Sequence, residues 1–180
     1  MGQPRRLLDF PNPVDDVAAR VVAGGVVAMA GAAIVLDEPV LMVPLTYGFA
    51  ARVACGPRFS PLGLLATRIV APRIPGDHRL VPGPPKRLAQ GAGLGLSATA
   101  LVLRWTFGRR RAANLVLGAL VAAASLEAAF GLCLACKAFP LLMRLGIVPE
   151  STCRECADIW AGQRGAGQRG AGQRGEEAVA

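Results

Sequence analysis

The sequence predicts an all-α protein, an integral membrane four-helix bundle with short interfacial helices. Three observations point there. The 180 residues are 53% apolar and 18% charged, with a mean hydropathy of +0.42; a soluble domain carries about 25% charge. Leu, Ala, Val and Gly dominate the apolar stretches, as closely packed membrane helices require. Four of these stretches approach the length of about twenty residues that crosses the hydrocarbon layer. Short charged turns join the first to the second and the third to the fourth.

Residues 1–17 form an N-terminal segment. Arg5 and Arg6 precede an apolar run, and Ala28-Met29-Ala30 mimics a leader-cleavage box. Asp9, Asp15 and Asp16 interrupt that pattern, and the run continues past the box to Leu36, so a retained helix is expected. The first span is residues 18–36, with Asp15 and Asp16 as candidate N-caps. Asp37-Glu38-Pro39 is a tight acidic turn. The second span, 39–54, is short, holds Pro44, and ends near Arg52, which is expected to snorkel toward water.

Residues 60–70 read as a short helix opened by a Ser-Pro cap; too short to cross, it is expected at the membrane surface. Pro72, Pro75, Pro82, Pro84 and Pro85 then predict an extended loop. The third span is 88–107, where Gly91-x-x-x-Gly95 offers bare backbone for close helix approach. Gly108 to Arg111 makes the next turn, and the fourth span is 112–135. Residues 18–160 thus form one four-span domain with a cysteine-bearing tail. Residues 161–180 repeat Gly-Gln-Arg-Gly-Ala, have no apolar face to bury, and are expected to be disordered.

Charge sets the expected orientation. Placing both termini in the cytoplasm leaves only Arg104, Arg109, Arg110 and Arg111, of 20 basic residues, on the outer side. The chain is then a multi-pass cell-membrane protein. The net charge of +8 reads as loop arginine facing anionic lipid in the bilayer, with no nucleic-acid partner. Tyr47 and Trp105 fit interface anchors, and His78 a solvated loop.

Cysteine carries the distinctive chemistry. Cys133-x-x-Cys136 closes the fourth apolar run and Cys153-x-x-Cys156 follows. With Cys55, all five thiols fall on the cytoplasmic side, a reducing compartment. Three readings stay open. In the first, each pair is a dithiol for redox or sulfur transfer, one sulfur attacking and the other resolving, with Lys137 and Arg154 favouring thiolate. Against it, the fourth span puts the first pair near a helix C-terminus, the wrong end of the dipole for an anion. In the second, Cys133, Cys136, Cys153 and Cys156 have the spacing of a four-thiolate zinc site, although residues 138–148 between them are apolar rather than ribbon-like. In the third, the cysteines are small packing residues. Glu127, inside the fourth span, must face the bundle or a watery cavity; it serves as a proton carrier for thiol chemistry or as a hydrogen-bonded packing element near Thr99 or Tyr47. No nucleotide-binding loop or other cofactor motif is present.

Residues 9–158 resemble a family of bacterial membrane proteins known as the domain of unknown function numbered 4395. The resemblance rests on four blocks. They are Phe10-Pro11-Asn12-Pro13-Val14-Asp15, Gly56-Pro57-Arg58-Phe59-Ser60-Pro61-Leu62-Gly63, Pro82-Gly83-Pro84-Pro85-Lys86-Arg87-Leu88-Ala89-Gln90, and Leu126-Glu127-Ala128-Ala129-Phe130-Gly131-Leu132-Cys133-Leu134-Ala135-Cys136-Lys137. It implies a link to thiol or sulfur metabolism, with a thioredoxin-like or sulfurtransferase protein as partner. Leu88 stands where the family pattern leads one to expect Phe, and the Gly-Gln-Arg tail lies outside the pattern.

Overall fold

The computed structural model describes residues 14–74, 80–81 and 83–146. The chain divides into two compact units, Met1–Phe139 and Pro140–Ala180. Helix α1, Asp16–Val35, starts where Asp15 accepts the Val17 N–H at 2.8 Å, the expected cap. It ends as Asp37 takes a left-handed φ of +54°, which Asp tolerates better than most residues. A 3₁₀ turn, Pro39–Leu41, leads into α2, Met42–Cys55. Pro44 sits in its first turn, where a missing N–H leaves no helical bond unmade. Ser60 then accepts the Gly63 N–H at 3.3 Å and opens α3, Pro61–Leu64. This segment continues as a π-helical stretch, Leu65–Val70, and a 3₁₀ turn, Ala71–Arg73. It buries Gly63, Ala66 and Ala71 and leaves Leu65, Ile69 and Ile74 exposed.

Helix α4 is Gly83–Trp105, α5 is Arg110–Phe130 and α6 is Leu134–Arg144. Two short strands, β1 (Val14–Asp15) and β2 (Leu80–Val81), pair antiparallel, a clasp the sequence pattern does not announce. The third helix begins earlier than residue 88 because Pro84 and Pro85 fit its first turn, rather than holding an extended loop. The fourth ends at Phe130, not 135. Gly131, at φ +66°, reverses the backbone there. In the second unit, the Leu145 N–H bonds the Leu141 carbonyl (3.0 Å) and the Gly146 N–H the Met143 carbonyl (3.1 Å).

The four long helices pack as a ring: α1 along α5, α5 along α4, α4 along α2. Val26, Ala30, Ala33, Met42, Leu45, Phe49, Ala100, Leu117, Leu120 and Ala124 form the core. Alanine at so many contacts brings the backbones close, which drives helix association where lipid supplies no hydrophobic force. The closest approach on α4 is at Gly93, against the Phe49 ring, and not at Gly91 or Gly95, where an added Cβ would meet nothing.

Three helical segments are long and apolar enough to cross a membrane: Asp16–Val35, Pro39–Arg73 and Arg110–Phe130. Leu115 (76% exposed), Val35, Val40, Val43 and Val102 line the outer surface, an apolar area that suits lipid contact. The charged groups gather at the two ends. At one, Asp37 bonds Arg104 (3.5 Å) and Arg110 (2.9 Å). The other holds the starts of α1 and α4 and the ends of α2 and α5.

A candidate thiol site at the start of helix α6

The break at Gly131 creates the site. The Gly131 N–H returns to the Glu127 carbonyl (2.9 Å) and the Leu132 N–H to the Leu126 carbonyl (3.2 Å). Arg20 of α1 donates to two of the three carbonyls left over, Nε to Ala128 (3.2 Å) and Nη2 to Ala129 (2.9 Å). Three of the last four carbonyls of α5 are therefore satisfied without the helix continuing. The chain then turns into α6, and the Cys133 carbonyl accepts the first helical bond from the Lys137 N–H at 3.2 Å.

Cys133 stands at the cap position and Cys136 three residues on, so the pair opens a helix instead of closing one. This corrects the sequence expectation, and it reverses the sign of the dipole argument, since a helix N-terminus favours an anion. Cys133 is 6% exposed. Its thiol is lowered from 9.0 to about 7, chiefly by the hydrogen bond that the Cys136 thiol donates to it. The Cys136 backbone N–H, placed as in an ordinary N-cap, and the Lys86 ammonium add to the effect, while burial and Glu127 oppose it. Cys136 moves upward, because its proton is held on Cys133 and because it too is partly buried.

The cation beside the thiols is Lys86 from α4, and not the exposed Lys137. Lys86 is 3% exposed. Its Nζ donates to Glu127 Oε1 at 2.6 Å and to Asp16 Oδ1 at 3.4 Å. Glu127 thus lies in the last turn of α5 with an ammonium partner. It meets neither Thr99, which bonds the Gly95 carbonyl, nor Tyr47, whose hydroxyl bonds Phe59. A buried ion pair of this kind is held by geometry, and removing one partner strands the other, at about 3–5 kcal/mol.

Glu127 and Cys133 share the wall of a cavity of about 230 Å³ that reaches between α1, α2, α4 and α5 to Phe49, Gly93 and Leu120. Gln90 also lines it, and its Oε1 accepts from Arg52 Nε at 2.7 Å. Arg52 does not snorkel outward: it is 5% exposed, donates Nη1 to Ser60 Oγ at 2.9 Å, and lies 4.6 Å from the centre of the Phe49 ring. Sequence reasoning placed Lys86 and Arg52 at this end but missed that they are buried here with polar partners. The available signal was a basic residue beside long apolar runs, which is costly unless partnered.

Cys55, half buried at the end of α2, lies at this same end of the bundle. Cys153 and Cys156 lie outside the described residues. Among the described residues, no three His, Cys, Asp or Glu side chains group as metal ligands would.

A family profile described as "Domain of unknown function (DUF4395)" matches residues 14–144. The chain belongs to this family. The DUF4395 match takes in all four long helices and the first cysteine pair and ends where α6 ends. Neither the curated proteins nor the solved structures searched give a match to the chain.

Proposed function

We propose that this DUF4395 protein is a multi-pass membrane thiol carrier, and that Cys133 and Cys136 pass electrons or sulfur to a thioredoxin-like or sulfurtransferase partner on the cytoplasmic side. The reading is carried by one observation: Cys133 sits at the start of α6 and receives a hydrogen bond from the Cys136 thiol, with its own thiol lowered to about 7. Such a sulfur is substantially thiolate near neutral pH.

In the redox form, the Cys133 thiolate attacks one sulfur of a partner disulfide. A mixed disulfide forms and the other partner sulfur leaves as thiolate, taking up the Cys136 proton by way of Glu127. The Cys136 thiolate then attacks Cys133 and releases the second partner sulfur. Two thiols have become one disulfide, and two electrons have reached the partner. Cys153 and Cys156 are the second pair in this proposal, exchanging with the first.

The test is disulfide mapping. Reduced, purified protein is treated with glutathione disulfide, digested and analysed by mass spectrometry. A Cys133–Cys136 bond that forms and is removed again by a dithiol reductant is expected. If both cysteines stay fully alkylatable in excess oxidant, the proposal fails. The zinc alternative parts from it on one number, since a four-cysteine clamp requires about one zinc per chain and the carrier requires none.

A further inference from the structure

A protein partner reaches a thiol from outside, and exchange with it gives no reason for a void inside the bundle. Yet the wall that holds Cys133 and Glu127 encloses about 230 Å³. Protein interiors leave few voids larger than a water molecule, and an empty one costs stability in proportion to its volume. A cavity of this size that ends on a thiol is the first place to look for a ligand.

The wall defines the ligand's chemistry. Val22, Val26, Phe49, Leu96 and Leu120 line the cavity, with alanines of α1, α4 and α5 among them. Its polar side chains, Gln90, Glu127 and Cys133, come from the thiol end of the bundle. The Gln90 oxygen is taken by Arg52 and the Glu127 carboxylate by Lys86. Among the described residues, no cation stands in the wall. An anion would meet a carboxylate and a thiolate in an apolar space, where low dielectric magnifies the repulsion. The exposed wall residues are Ala92 and Leu134, the latter 52% exposed. The way in is therefore apolar as well, which suits entry from lipid. An apolar cavity of about 150 Å³ takes benzene, so this one holds roughly six to ten non-hydrogen atoms. Glu127 acts on the Cys133 sulfur through space, which puts that sulfur at the Glu127 end of the wall.

We propose that this cavity binds a small uncharged apolar disulfide, drawn from the bilayer, and presents its sulfur–sulfur bond to Cys133. The binding step stands on the cavity alone; the reaction step rests on the thiol carrier proposed above, with the ligand R–S–S–R in place of the partner disulfide. The Cys133 thiolate attacks one ligand sulfur, the ligand S–S bond breaks, and the leaving R–S⁻ takes the Cys136 proton. The Cys136 thiolate then attacks Cys133 and releases the second R–S⁻, which takes up a proton equal to the one Cys133 gave to water. Two thiols of the chain are oxidised to one disulfide, and one ligand disulfide is reduced to two thiols.

The experiment uses the full chain in maltoside detergent, with diethyl disulfide as the apolar probe and dithiodiglycolate as its charged counterpart. Binding is read by thermal unfolding of the Cys133→Ser/Cys136→Ser variant, in which no exchange occurs; serine is a good cap residue, so α6 keeps its start. Saturable stabilisation by diethyl disulfide and none by dithiodiglycolate is expected. Ala123→Leu, which fills the cavity from α5, should weaken that binding at least about tenfold. Reaction is read on the reduced wild-type chain as the rate of Cys133–Cys136 bond formation. Each probe's rate is divided by its rate with the unfolded chain, which removes the probes' own difference in reactivity. The apolar probe should then lead by at least about tenfold and saturate. Should Ala123→Leu fail to fold, competition by unreactive n-hexane against the wild-type rate replaces it. An effect linear in concentration and equal in both variants is partition into the micelle and overturns the site, as does a rate that hexane leaves unchanged. Saturable binding without oxidation sinks the reaction step together with the thiol carrier. Oxidation by glutathione disulfide with no binding of diethyl disulfide sinks this site and leaves the thiol carrier standing.

Discussion

Replacing Cys136 with alanine tests what keeps the Cys133 sulfur ionised. The Cys136 thiol is the largest single cause of the drop from 9.0 to about 7, and alanine removes it while leaving the helix start and its backbone N–H in place. If the shift were lost entirely, the thiolate fraction at about pH 7 would fall from about one half to about 1%, some fiftyfold. A more basic thiolate is also more nucleophilic, with a Brønsted slope of about 0.4–0.5, so two units of basicity return about six- to tenfold. The net expectation at about pH 7 is a five- to eightfold slower reaction with iodoacetamide, roughly the upper bound given the contacts that remain. At about pH 10 the order reverses, and the variant reacts about six- to tenfold faster. Alkylation of the Cys133 peptide, followed by mass spectrometry across this range, reads both limbs. The crossing of the two profiles is the diagnostic feature, because a variant that had merely lost access or fold would be slower throughout. A wild-type midpoint near 9, or a variant midpoint still near 7, would refute the reasoning.

Other perturbations give equally definite outcomes. Lys86→Met leaves Glu127 and Asp16 without their buried cation and should cost about 3–5 kcal/mol in detergent unfolding, most of it recovered in the double variant Lys86→Met/Glu127→Leu. Gly131→Ala forces a left-handed alanine at about 1–2 kcal/mol; by pulling α5 and α6 toward one continuous helix it should also move the Cys133 alkylation midpoint upward. Gly93→Ala drives a Cβ into the Phe49 ring and should cost about 1–3 kcal/mol, whereas Gly91→Ala and Gly95→Ala point into open space and should change stability by less than about 1 kcal/mol.

What the sequence revealed was local. Asp15 as a cap, Ser60 as a cap and the Asp37-Glu38-Pro39 turn each depend on bonds between residues two to four apart, and each is found. The all-α architecture followed from apolar run length in the same way. The end of α5 was misplaced because apolar content continues from Ala128 through Ala135, so hydropathy alone cannot register a change of direction. Glycine at the end of a periodic run was the available sign, and Gly131 was passed over because other glycines lie inside these helices. The partners of the site were beyond reach for another reason. Lys86 and Glu127 are 41 residues apart, and Arg52 and Gln90 are 38 apart. Nothing in either neighbourhood encodes the other; only packing brings them together.

The order of the causes at Cys133 explains why a buried Lys–Glu–Asp cluster lies beneath a thiol pair at all. Glu127 alone would raise the Cys133 thiol, since two anions would then share one low-dielectric pocket. Lys86, held between Glu127 and Asp16, offsets part of that repulsion through a smaller downward pull. The ion cluster therefore does not make the thiolate. Lys86 makes the pocket less hostile to one than Glu127 alone would, and the Cys136 hydrogen bond at the start of α6 outweighs the rest and decides which sulfur carries the charge. On this account the two parts separate under mutation. Loss of Cys136 shifts the reactivity profile and spares the fold, whereas loss of Lys86 weakens the fold first.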